Sequence, residues 1–312
     1  MRIGWREFLS QRFKKASKCH SIGIEFGDAT LHISTFRNTA KDLIWVKQDV
    51  LPIADWSTQL KLYVAQHNLA NTPCRVALSI AKYQILQIDK PAVAESELAQ
   101  ALQWSVKEQV PGEEDLILDY FDYPASFTTA TKLNVVAIAK KEIVDICRGM
   151  GQAGLKLENI GIEELATCDL VPESDDAVIT LFQEAGGQVC LNIVKQNKLF
   201  FSRRLRGYEN LSSFSPEELQ MGVGDTLSVE IQRSMDYFES QLRQAPIKKI
   251  LISLDSPHQD ELAALIAQLT VLSVEAFKPA INMADGMQLS VASYASLGAA
   301  IGHEARISQA SS

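Results

Sequence analysis

The sequence predicts an α/β protein of two lobes, and three observations carry that prediction. Its 312 residues are long for one hydrophobic core, so two or more core units are expected. Strand-like and helix-like runs alternate along the chain. A strand, turn, strand, turn, strand layout opens near residue 21 and opens again near residue 177, with similar elements after each.

The first half begins with a hairpin. SIGIEF, a Gly27-Asp28 turn and ATLHISTF follow one another from Ser21 to Phe36, with Leu31, Ile33 and Phe36 as the apolar positions of the second strand. DLIWVKQDVLP reads as a third strand, STQLKLYVAQHNLA as a helix and PCRVALSIAKYQILQIDKP as a strand pair. ESELAQALQWSVKEQV has helical character and stops at Pro111-Gly112, because a helix cannot continue through a proline without losing a hydrogen bond. DLILDYFDYP and TKLNVVAIA are strands joined by a Ser/Thr-rich turn. KKEIVDICRGMGQA is an amphipathic helix ended by Gly154, and LKLENIGIEE returns as a strand.

The second half starts after the acidic loop PESDD. AVITLFQEAGGQVCLNIVKQNKLFFSRRL reads as three strands. DTLSVEIQRSMDYFESQL is the clearest helix: Asp225 can cap it, Leu227, Ile231, Met235, Phe238 and Leu242 line one face, and Pro246 closes it. KKILISL is a strand, DELAALIAQL a helix, SVEAF a short strand, and SVASYASLGAAIG a helix whose small residues permit close packing on a sheet.

Composition narrows the function classes. Thirty Lys and Arg against 38 Asp and Glu give a net charge of −8, which disfavours sequence-independent nucleic-acid binding, since phosphate neutralisation needs a basic surface. Cys19, Cys74, Cys147, Cys168 and Cys190 are odd in number and never form a C-x-x-C pair, which argues for reduced thiols. No run approaches the ~20 apolar residues of a membrane span, so a cytoplasmic protein is expected, peripheral at the membrane through partners. The five histidines make no metal-ligand spacing along the chain, and neither G-x-S-x-G nor H-E-x-x-H appears.

The amino-terminal 18 residues oppose the charge of the rest. Arg2, Arg6, Arg12, Lys14, Lys15 and Lys18 face a single acid, Glu7, while Trp5, Phe8, Leu9 and Phe13 fall at helical spacing. Such a helix suits an anionic lipid surface, and it equally suits docking on the protein body with its basic residues solvated. Arg203, Arg204 and Arg206 are the one dense basic cluster of the body. They fit either an acidic partner segment or a solvated strand end.

Several segments in order carry a family resemblance. SIGIEFGDATLHIS resembles the first phosphate hairpin of actin-fold proteins. LNVVAIAKKEIVDICRGMGQAGLKLENIGIEELA, EIQRSMDYFESQL, FSRRLRG and ASLGAAIG resemble PilM-like type IV pilus assembly proteins, those of MSHA pili above all. The resemblance covers most of residues 20–302. It implies an actin-like (ribonuclease H-like) ATPase fold in the following arrangement: a basic amphipathic tail over 1–18, a first lobe over 19–176 carrying an inserted α/β subdomain at about 91–165, a second lobe over 177–303, and a flexible tail over 304–312.

The resemblance also implies ATP and magnesium held between two glycine hairpins, whose backbone N–H groups approach the phosphates. The positions carried over are Glu25, Gly27 and Asp28 on the first hairpin, Gly186 and Gly187 on the second, and Glu230 and Arg233 beside the nucleoside. Three motifs depart from the family pattern. Glu25-Phe26-Gly27-Asp28 places a carboxylate where a phosphate-facing hydroxyl is expected, and an anion there repels phosphate. Gln183-Glu184-Ala185 has lost an acid and a glycine, and Ser253-Leu254-Asp255 has lost both glycines of the adenosine side. A degenerate cleft without ATP hydrolysis is therefore expected, and no protein-held metal. The implied role is a scaffold of the pilus inner-membrane assembly platform. It would bind the cytoplasmic N-terminal tail of a PilN-like single-pass membrane protein with its first lobe and insert. The alternatives are an ATP-dependent switch in the same platform, a related type II secretion component, and an ATP-dependent filament former.

Overall fold

The computed structural model describes residues 19–39, 42–109, 115–124, 132–279 and 281–309. The basic aromatic tail, with Trp5, Arg6, Phe8, Leu9, Arg12, Phe13, Lys14 and Lys15, lies outside the described residues. Two sheets repeat one topology. In the first lobe β1 (Ser21–Phe26), β2 (Thr30–Asn38) and β3 (Leu43–Pro52) form an antiparallel meander. On the other side of β1 lie β4 (Pro73–Leu78) and β8 (Lys156–Ile162), both parallel, giving the order β3-β2-β1-β4-β8.

In the second lobe β9 (Val178–Phe182), β10 (Val189–Lys195) and β11 (Lys198–Leu205) form the meander. β12 (Lys249–Ser253) and β13 (Ser273–Ala276) complete the order β11-β10-β9-β12-β13. The central strands β1 and β9 are buried along their whole lengths. That is why VITLF reads as a near-continuous apolar run, since a strand covered on both faces has no solvent side to alternate with, whereas in SIGIEF the buried positions between Ile22, Ile24 and Phe26 are Gly23 and Glu25.

Helices cross between the parallel strands. In the first lobe α1 (Trp56–His67) precedes β4, α3 (Lys140–Ala153) precedes β8, and α4 (Glu163–Cys168) follows it. α3 ends where Gly154 takes a left-handed φ of 81° and donates its N–H to Gly151 and Met150 carbonyls, a conformation cheap for glycine alone. In the second lobe α5 (Gly224–Asp236) precedes β12 and α6 (Gln259–Thr270) precedes β13.

Asp225 does not cap α5. The helical path starts earlier, at a capping box in which Ser215 and Glu218 satisfy each other's backbone N–H groups around Pro216. It then bends at Gly222, whose φ is 140°. The capping signal was in the sequence ten residues upstream of Asp225, masked by the apolar face that begins at Leu227.

The expected strand pair after Pro73 is two strands in different sheets. β4 joins the first-lobe sheet, whereas β5 (Tyr83–Asp89) pairs with β7 (Lys132–Ala139), which also pairs with β6 (Leu116–Asp122). Helix α2 (Glu95–Gln109) covers this small sheet, and Ile88, Leu98, Leu102, Val106, Leu133 and Val135 form its own core. The separate core spans β5 to β7, while α3 packs on α1 and β8 pairs with β4 in the lobe proper.

The chain ends by crossing back. β14 (Asn282–Met283) pairs with β3, and α7 (Tyr294–Gln309), bent at Gly302, lies on β1 and α4 of the first lobe. The sequence predicts a second lobe up to residue 303 and a flexible tail over 304–312; among the described residues the helix runs through Gln309. Two glycines allow the crossing. A Cβ on Gly23 would stand 1.8 Å from the Ser296 carbonyl oxygen, and one on Gly298 would stand 1.8 Å from the Ala166 carbonyl oxygen. A further core joins the lobes at their base, where Phe36 and Trp45 of the first lobe meet Phe182, Val194, Leu199 and Phe277 of the second and Leu297 of α7.

Candidate functional site

Above that joining core the two meanders face each other across a cleft of about 650 Å³, lined by the β1–β2 turn, the β9–β10 turn, the start of α4 and Tyr294 of α7. Of the residues expected at a nucleotide site, Glu25, Gly27, Asp28, Gly186 and Gly187 line it. Glu230 and Arg233 are not brought there. They pair with each other at 2.8 Å on α5, and Glu230 also pairs with Arg203.

The first hairpin turns as the sequence suggests, with the Gly27 N–H donating to the Thr30 carbonyl at 3.0 Å. Glu25 is only 3% exposed and accepts a hydrogen bond from the hydroxyl of Ser293, the residue just before α7. Burial, and then the charge of Glu184 across the cleft, push its carboxyl well above the usual carboxylate range. Asp28 stands exposed at the rim.

The second hairpin is tied down by the chain's own side chains. Gly186 has a left-handed φ of 69° and donates its N–H to the Asp255 carboxylate at 3.0 Å. The Gln183 side chain donates to the Gly187 and Tyr208 carbonyls at 2.8 and 2.7 Å and accepts from the Asp255 N–H at 3.2 Å. A carboxylate thus already sits on a glycine N–H of this loop. The amide at 183 is spent on holding the loop to the β12 end.

Two of the three arginines of the basic cluster are engaged by carboxylates, while Arg206 is exposed. Arg203 pairs with Glu230, and Arg204 pairs with Glu163 and lies 3.8 Å from Glu164. Both arginine side chains turn inward, to carboxylates on α5 and α4 that a strand-end reading cannot see. Glu164 is 1% exposed and accepts from the Tyr83 hydroxyl of the inserted sheet; burial raises its carboxyl above the ordinary value.

A second depression of about 290 Å³ lies between the inserted sheet and the second lobe. Its walls are Ile85, Gln87, Phe121 and Tyr123 on one side and residues 199–204 of β11 on the other. β11 is an edge strand, paired with β10 alone among the described residues, so its outer backbone edge has no strand partner.

Sequence reasoning missed His32, Arg204 and Ser293 as parts of the cleft. His32 was findable, because the hairpin register places it directly opposite Glu25. Ser293 was not, lying 268 residues from Glu25. Among the described residues no helix is long and apolar enough to cross a membrane.

Comparison with known proteins bears on the fold. No protein-family model matches the chain, and no curated protein matches it in sequence. Among solved structures, a PilM-PilN type IV pilus biogenesis complex matches with a TM-score of 0.68 at 14% identity, over 91% of this chain and 98% of that one. The cytoplasmic domain of EpsL, an inner-membrane component of the type II secretion system of Vibrio cholerae, matches at 0.51 and 9% identity over 89% and 94%. A Bacteroides thetaiotaomicron protein with an actin-like ATPase fold and unknown function matches at 0.50 and 9% identity over 86% and 95%. The chain has an actin-like fold.

Proposed function

We propose that this chain is a cytoplasmic scaffold of a type IV pilus inner-membrane assembly platform, of the MSHA type by its sequence resemblance. Its ligand is the cytoplasmic N-terminal tail of a PilN-like single-pass membrane protein. The observation that carries the reading is the groove between the inserted sheet and β11, in a chain whose fold follows that of a PilM-PilN complex over 91% of its length. An extended peptide laid along the open edge of β11 gains main-chain hydrogen bonds, while Ile85, Phe121 and Tyr123 supply apolar wall for its side chains. The basic tail, at 1–18, adds a second weak contact to anionic lipid, and two weak contacts in one chain raise effective affinity.

The cleft in this reading is a pseudo-ATPase site. Asp255 occupies the Gly186 N–H, Gln183 is locked to backbone, and Asp28 puts negative charge at the rim. Each feature disfavours a polyphosphate.

Calorimetric titration with a synthetic N-terminal tail peptide of the neighbouring pilus membrane protein, with and without Mg-ATP, tests both halves. Saturable binding that ignores nucleotide and is weakened by Gln87→Trp, a change at an exposed position on the groove wall, supports the scaffold. Binding that requires Mg-ATP supports the ATP-dependent switch instead, and absence of binding in both buffers removes the peptide mode.

A further inference from the structure

The cleft holds a constellation that the pseudo-ATPase reading leaves unused. Glu25 and His32 are direct partners across the β1–β2 ladder, so their side chains rise from the same face of the first-lobe sheet. Glu184 reaches the same place from the β9–β10 turn of the second lobe, and one donor atom from each of the three lies within 4.8 Å of the others. We propose that Glu25, His32 and Glu184 form a site for a divalent transition-metal ion that ties the first lobe to the second without any nucleotide.

Three observations argue for a bound cation. Two carboxyl groups from different lobes and one imidazole bring donor atoms to a single point, and one of those carboxyl groups is only 3% exposed. The nearby guanidinium of Arg204 pairs with Glu163 and Glu164 rather than with Glu25 or Glu184, so it acts on Glu25 only through space. Finally, the His32 Nδ1 is buried with no hydrogen-bond partner among the described residues, while its Nε2 lies 3.1 Å from the Thr30 hydroxyl. An imidazole held through one nitrogen by a neighbouring group, with the other left unpaired, is an arrangement in which histidine serves as a metal ligand.

The ligand set selects the ion. One imidazole and two carboxylates suit zinc and its first-row neighbours, whereas magnesium prefers oxygen donors in an octahedron and keeps its water. Tetrahedral ligation at about 2.0–2.2 Å puts donors about 3.3 Å apart, so the three groups need draw together by no more than about 1.5 Å. Because the ligands come from both lobes, the ion acts as a latch across the cleft mouth and stabilises the closed arrangement by mass action. The site stands independently of peptide capture.

The probe is Co²⁺ alone, added to the full chain after treatment with a chelator, in buffer without nucleotide, and followed by visible absorption and calorimetry. The expected result is one ion per chain with nitrogen and oxygen ligation, displaced by Zn²⁺ and unaffected by an excess of Mg²⁺. Glu184→Ala, at an exposed position, and His32→Asn each weaken it at least ten-fold while the metal-free melting profile holds. Cys147→Ser, which removes an exposed thiol on α3, leaves it unchanged. The proposal is overturned by absence of saturable binding, by affinity that survives both ligand substitutions, by loss of binding in Cys147→Ser, or by displacement with Mg²⁺ at similar concentration.

Discussion

Replacing Gly298 by alanine should be among the most damaging single-methyl additions in the molecule. Its Cβ would fall 1.8 Å from the Ala166 carbonyl oxygen and 2.5 Å from the Ala166 carbonyl carbon, both backbone atoms of α4 that cannot swing aside. A normal contact needs about 3.5 Å, so α7 must retreat by roughly 1.5 Å. The retreat loosens the Ser293 bond to Glu25, the Ser34–Ser296 hydroxyl pair at 2.7 Å and the Arg75 bonds to the Ala300 and Ile301 carbonyls at 3.3 Å. Overpacking costs about 1–3 kcal/mol, and the four loosened bonds add about 1 kcal/mol each, which gives a loss of about 5–7 kcal/mol. Gly151 supplies the control: it lies inside α3 with nothing within 4 Å of its Cβ direction. Alanine there should stabilise by about 0.5–1 kcal/mol through helix propensity. Urea unfolding followed by circular dichroism on both variants reads the two signs. A Gly298→Ala protein within about 0.5 kcal/mol of the parent, the ordinary range for a surface change, would refute the close crossing of α7 over α4.

Two further predictions concern the carboxylates. Glu164 faces Tyr83, Arg204 and Cys190, with Glu163 beside it in the chain, and burial raises its carboxyl above the ordinary carboxylate value. A carboxyl raised by folding favours the native state below its unfolded value, and that contribution is lost as pH rises through the folded value. The neutral isostere Glu164→Gln does not suffer that loss, so its urea midpoint relative to the parent should climb between pH 4.5 and pH 8; a difference that stays flat or declines counts against the burial argument. Asp255→Ala frees the Gly186 N–H and removes one anion from the β9–β10 turn. Mg-ATP should then bind about ten-fold more tightly than to the parent, the worth of one charge-assisted hydrogen bond; equal affinities by calorimetry would show that Asp255 is not what fills the loop.

The lobes were legible because each meander is local. SIGIEF to ATLHISTF and AVITLF to KLFFSRRL pair neighbours in sequence, and a hairpin register follows from its turn. Gly27 and Gly186 were found for the same reason, since a hairpin turn advertises its glycine. What local pattern could not give was the partner across a long loop. β4 and β5 read as a pair because only Ser79 to Lys82 separate them, yet they diverge into two sheets once β7 offers β5 a better-matched edge. Arg203 and Arg204 looked free because Glu230 and Glu163 lie 27 and 41 positions away in sequence.

By itself, then, the sequence determined the elements, their order, the two-lobed α/β plan and the positions of the two cleft hairpins, since these follow from periodicities of 2 and 3.6 and from turn chemistry over a few residues. Only the tertiary structure decided that α7 belongs to the first lobe, that Asp255 covers the Gly186 N–H, and that His32 meets Glu25 and Glu184. Those facts depend on close approach between segments far apart in the chain. Close approach is set by which backbones can touch, at Gly23 and Gly298, and by which buried charges must find one another.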